Sequence, residues 1–111
     1  MDVLLRPGEY VFTTGEAPRP VMTFTEDEGP TLIVDRETAD AHGLPYDLVL
    51  SWITIEAVTA LDDVGITAAI STALAAAGVS CNMVAALHHD HVFVPSADAA
   101  KAVTLIRALP G

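Results

Sequence analysis

The chain has one cysteine, Cys81, among 111 residues. A lone cysteine excludes an internal disulfide and any zinc site built from several thiolates of one chain. Basic residues are also scarce: Lys plus Arg is 5 against Asp plus Glu of 15, for a net charge of −10. Such a surface repels phosphate backbones and anionic lipids, so nucleic acid and membranes make poor partners. Aromatics are 5% of the residues, too few for an array of base-stacking platforms. Long apolar runs are missing as well. The alanine-rich stretch Ile66–Ala77 is broken by Thr67, Ser71 and Thr72 and closed by Gly78. No stretch reaches the length needed to span a bilayer. The start, MDVLLRPGEY, lacks a signal-peptide pattern. A cytoplasmic protein is the resulting expectation.

Catalytic patterns are equally sparse. Ser51, Ser71, Ser80 and Ser96 have no G-x-S-x-G setting, the glycines stand singly rather than in a phosphate loop, and no HExxH occurs. No catalytic residue, cofactor or resident metal is predicted.

What remains is a chain that is 51% hydrophobic and of single-domain size. With so few aromatics its core must be Ala, Val, Leu and Ile. Tyr10–Thr13, Val21–Thr25 and Thr31–Val34 read as strands, separated by the loop Gly15–Pro20 and the charged turn Glu26–Pro30. Asp35 is placed to cap a short helix that ends at Gly43. Leu48–Ala57 is the longest strand signal, with Ile53, Ile55 and Ala57 on one face and Trp52, Thr54 and Glu56 on the other. The loop from Val58 to Gly65 follows. Ile66, Ala69, Ile70, Ala73, Leu74 and Ala77 then recur at helical spacing. Ser80–His88 and His91–Val94 read as strands, and Ser96 as the cap of a last helix running to Leu109. Helices on one face of an antiparallel sheet give an α+β fold.

Four motifs in order carry a family resemblance: Trp52-Ile53-Thr54, Val64-Gly65-Ile66-Thr67, Ser80-Cys81-Asn82 and His88-His89-Asp90-His91. Together they resemble the small two-module ACT-domain proteins of bacteria, from about Val49 to Leu109 and more weakly over Thr31–Tyr46. The resemblance implies a ferredoxin-like βαββαβ module, usually dimeric. It divides the chain into a degenerate first module, 1–47, and a second, 48–111. It also implies a regulatory, non-enzymatic role: binding a small amino-acid-like effector beside the loop after the first strand. On this chain those positions are Asp62, Asp63, Val64, Gly65, Ile66 and Thr67, with Thr54 and His88 as secondary contacts. Two departures stand out. The first module has no helix after its first strand, and the second has no fourth strand following its last helix.

Read from the residues alone, Gly65 permits close approach and the following helix start offers free N–H donors for a carboxylate. Asp62 or Asp63 can receive an ammonium group or cap the helix. Trp52, Asn82 and Val84, on the face away from the helices, are assigned to an interface between sheets or subunits. HHDH reads first as a polar chain reversal. The alternatives are a metal-dependent hydrolase using His88, Asp90 and His91, or a purely structural partner docking through the Trp52 face.

Overall fold

The computed structural model describes residues 1–57 and 59–111; Val58, the first residue of the expected bend, lies outside them. The chain divides into two units, Gly8–Leu50 and the pair of segments Met1–Pro7 and Ser51–Gly111. The strand β1 (Val3–Leu5) belongs to the second of these.

In Gly8–Leu50 the strands β2 (Tyr10–Thr14), β3 (Met22–Glu26) and β4 (Gly29–Asp35) lie in the order β3-β4-β2, all antiparallel. Glu26 pairs with Gly29 across Asp27-Glu28, a two-residue turn that Gly29 enters at φ 129°. As expected from the Gly15–Pro20 segment, no helix joins β2 to β3. The helix α1 (Arg36–Ala41) instead follows β4. Asp35 caps it, its carboxylate accepting from Thr38 N–H at 2.8 Å, and Gly43 leaves it at φ 63°. Val11, Leu32, Val34 and Ala39 form a small core.

The other unit contains β5 (Leu50–Ile55) from Ser51 onward, α2 (Ile66–Ala76), β6 (Asn82–Ala85), β7 (Asp90–Pro95), a 3-10 turn at Ser96–Asp98 and α3 (Ala99–Arg107). Its strands run β1-β5-β7-β6. This is the strand order of a βαββαβ module whose fourth strand is drawn from residues preceding its first. β1 lies antiparallel to β5, pairing Val3 with Ile55 and Leu5 with Ile53. The strand expected from outside the second module is therefore Val3–Leu5. Three residues are too short for an alternation to be legible, and Pro7-Gly8 marks a turn rather than a strand.

The core of this unit lies between the sheet and the two helices. Ile53 and Ile55 of β5, Ile70 and Leu74 of α2, Val92 and Val94 of β7, and Ala102 and Ile106 of α3 are all fully buried. Alanine along α2 permits this close packing, and Gly78 ends the helix at φ 73°. Burial raises the thiol pKa of Cys81, which packs against the same core as a small apolar residue rather than as a nucleophile. Three expectations are corrected. Ser96 makes no cap hydrogen bond; its hydroxyl accepts from Ser51 Oγ at 3.1 Å while the chain makes its 3-10 turn. The β6 segment is four residues rather than nine, because Ser80 and Cys81 and the residues after Ala85 fall outside the ladder. Neither Asp62 nor Asp63 caps α2, which begins at Gly65 with no side-chain cap.

Candidate functional site

Between β5 and α2 the chain must turn from sheet to helix, and among the described residues three hydrogen bonds hold that bend. Asp63 N–H donates to Ala60 O at 3.1 Å, while the Asp63 carboxylate accepts from Ala60 N–H at 2.7 Å. Thr59 N–H donates to His88 O at 3.2 Å, tying the bend to the β6–β7 connection. Gly65 then takes φ 100°, a conformation costly for any residue with a Cβ, and starts α2. With no side chain capping the helix, its first N–H groups stay available, and the helix dipole makes that end attractive to an anion.

At this point the fold leaves a cavity of about 120 Å³. Asp63, Gly65, Ile66 and Thr67 line it from the bend and the helix, with Thr59, Ala60 and Leu61 before them. Ala85, Ala86 and Asp90 close it from β6 and β7. Two polar side chains in this lining are deeply buried, Thr59 at 7% exposure and Asp90 at 5%. No described residue donates a hydrogen bond to the Asp90 carboxylate, and since no buried side-chain oxygen among the described residues lacks a partner, this carboxylate keeps its contact with water at the cavity it lines.

The structure thus brings together four of the eight residues assigned to the site from sequence. Asp62 and Val64 are in the bend but do not line the cavity, and Val64 is 96% exposed. His88 contributes its carbonyl to the bend while its side chain is exposed. Thr54 lies on the sheet face away from Ile53 and Ile55. Asp90 was placed in the histidine cluster, not here. The signal lay in alternation: Asp90, Val92 and Val94 share one face of β7, and that face packs on the helices.

The histidine cluster itself does not converge. Ala85 pairs with Asp90 and Ala86 N–H donates to His89 O, so the reversal spans Ala86–His89 and sets Val84, not His88, opposite His91. Among the described residues no group of three or more His, Cys, Asp or Glu side chains is placed to hold a metal ion. His91 turns to the other sheet face. Its Nδ1 accepts from Trp52 Nε1–H at 3.0 Å and lies 3.1 Å from Thr54 Oγ1, which itself accepts from Arg6 Nε at 3.0 Å. An indole N–H can only donate, so Nδ1 carries no proton and the imidazole is neutral with its hydrogen on Nε2. Burial lowers the His91 pKa, and the nearby charges of Arg6 and His89 add to that shift. Trp52 is packed within its own unit: the Arg6 guanidinium sits 4.8 Å over its ring and Phe93 stacks at 5.8 Å. Asn82 Nδ2–H donates to Phe93 O at 3.2 Å, and Val84 is half-buried on the same strand.

Gly8–Leu50 holds a broader open groove edged by Thr13, Thr14 and Thr31. Their hydroxyls are already engaged, with Pro45 O at 2.6 Å, Pro30 O at 2.7 Å and the Glu26 carboxylate respectively. Phe12, Tyr46 and Asp47 complete its lining.

Family models for the ACT domain match residues 1–51 and 48–108. The chain belongs to the ACT-domain family, as two consecutive modules. A Vibrio cholerae protein of unknown function, a possible transport protein, superposes with TM-score 0.86 at 37% identity, over 94% of this chain and 85% of that one. A protein from Agrobacterium tumefaciens superposes with TM-score 0.76 at 17% identity, over 95% and 85%. The ligand-free regulatory subunit of aspartate kinase from Thermus thermophilus follows with TM-score 0.62 at 10% identity, over 95% and 94%. The last two likenesses are of fold. No curated protein matches the chain. ACT domains are regulatory modules that typically bind amino acids, and among the described residues no helix is long and apolar enough to cross a membrane.

Proposed function

We propose that this protein is a non-catalytic, cytoplasmic sensor that binds a small amino-acid-like effector at the β5–α2 bend and couples binding to self-association as a homodimer. One observation carries the reading: a cavity opens at the start of an eleven-residue helix that no side chain caps. The effector's carboxylate accepts from the N–H groups at Gly65, Ile66 and Thr67, where the helix dipole favours negative charge. Asp63 stands at the rim. The regulatory aspartate kinase subunit of similar fold fits such a role. Coupling to association is supported by the apolar side chains around the bend: Leu61, Val64 and Leu87 are 74%, 96% and 66% exposed. Solvent-exposed leucine and valine beside a ligand cavity suit a surface that a second copy covers.

A ligand that binds only the folded state raises its stability, by about 2.7 kcal/mol at a hundredfold excess over Kd. A thermal-shift screen of the twenty amino acids at millimolar concentration is expected to raise Tm for a subset. A flat response across the whole set contradicts the reading.

A further inference from the structure

The sequence assigns the effector's ammonium group to Asp62 or Asp63, and the geometry offers neither well. Asp62 does not line the cavity, and the Asp63 carboxylate, which accepts from Ala60 N–H through one oxygen, is solvent-exposed at its rim. Asp90 is different. It is 5% exposed, it lines the cavity, and no described residue donates a hydrogen bond to it. With no donor among the described residues, a nearly buried carboxylate is free to accept a hydrogen bond from a ligand in the cavity it lines. From this we infer that Asp90 accepts the ammonium group of the effector, and that the cavity admits only the smallest α-amino acids. The inference rests on the proposed effector site and specifies its chemistry.

Charge and size each narrow the ligand. With Asp63 and Asp90 both at the cavity and a net charge of −10, the attraction of the α2 amino end for a bare anion is offset and such a ligand is disfavoured. A zwitterion is not: its carboxylate meets the helix N–H groups while its ammonium meets Asp90, in a charge-assisted hydrogen bond. The cavity volume is about 120 Å³. Drug-sized sites begin near ~300 Å³. Ala85 and Ala86 wall the side toward β6, leaving room for a side chain of hydrogen, methyl or hydroxymethyl.

Titration calorimetry on the 111-residue chain tests this with glycine, L-alanine, L-serine, L-leucine and L-phenylalanine, and with glycolate and ethylamine as ligands lacking one charged group. Glycine, alanine or serine is expected to bind, leucine and phenylalanine at least tenfold more weakly, and glycolate and ethylamine more weakly still. Asp90→Asn, which keeps the shape, is expected to weaken binding by roughly 10- to 100-fold, the worth of one charge-assisted hydrogen bond. Its unliganded Tm should stay close to that of the parent, because no protein hydrogen bond to the carboxylate is lost; a merely structural Asp90 would lower it. If no amino acid of any size binds, the effector reading itself fails. If amino acids bind but glycolate or Asp90→Asn matches the parent complex, that reading stands and the role of Asp90 is overturned. Should leucine bind as tightly as glycine, the size limit falls. If the variant does not fold, the glycolate comparison on the parent chain decides.

Discussion

The two helices that follow strands in the two units are started in opposite ways. In Gly8–Leu50, α1 begins behind Asp35, whose carboxylate takes the Thr38 N–H and also accepts from the Thr38 hydroxyl at 2.9 Å. In the other unit α2 begins behind Gly65, with no capping side chain at all. The first arrangement satisfies its donors and contributes local stability; the second leaves donors open beside a cavity. An eleven-residue helix held by a buried Ile70 and Leu74 has little need of a cap, whereas the six-residue α1 buries only Ala39 and has little else. The difference separates a helix end that supports the fold from one that is free to meet a ligand.

That contrast makes graded demands. The largest effect belongs to the face that replaces a cap: Leu74→Ala is expected to cost about 2–5 kcal/mol in urea denaturation. Gly65→Ala comes next. Its Cβ meets nothing within 4 Å, so the cost, roughly 1–2 kcal/mol, is that of φ 100° alone. An insensitive Gly65→Ala would mean the bend is not held as described. Removing the true cap with Asp35→Ala should cost about 1 kcal/mol, while Asp62→Ala, whose side chain caps nothing, should be within about 0.5 kcal/mol of the parent. Equal losses for the two aspartates would erase the distinction between the helix starts.

The smallest effects are those of pH. Thr38, through its N–H and then its hydroxyl, holds the Asp35 carboxyl below its ordinary value. The folded state therefore binds this proton less readily than the unfolded one. The Asp35 contribution is present above the ordinary carboxylate value near ~3.9 and is lost as pH falls through the lower folded value. His91 behaves likewise in a higher window. Burial first, then Arg6 and His89, lower its pKa, so its contribution is complete above the ordinary ~6.5 and falls away as pH drops below that. Protonating Nδ1 also removes the acceptor for Trp52 Nε1–H. Fluorescence of Trp52, the sole tryptophan, should change as His91 titrates, and His91→Gln should abolish that transition.

Much of this architecture was legible in the residues. Apolar periodicity located α2 and α3, glycines marked the ends of α1 and α2, and alternation put Ile53 and Ile55 on the core side of β5. Four motifs in order pointed to the family. What stayed hidden was non-local. Val3–Leu5 is a strand because β5 has a free edge beside it, a fact about partners fifty residues away. Asp90 was grouped with its histidine neighbours, since proximity in sequence says nothing of opposite faces. Strand alternation sent His91 to Trp52 and Asp90 to the helix start. Asp63 looked like a helix cap because it precedes α2, yet its carboxylate folds back on Ala60.

The most direct test of the central claim is an amide NMR titration of the uniformly ¹⁵N-labelled chain with glycine and L-alanine. The account predicts saturable shifts concentrated at Gly65, Ile66 and Thr67 and at Ala85–Asp90, with the capped amide of Thr38 unmoved. Shifts centred on the threonine-edged groove of Gly8–Leu50, or no saturable shift at any amide, would contradict it.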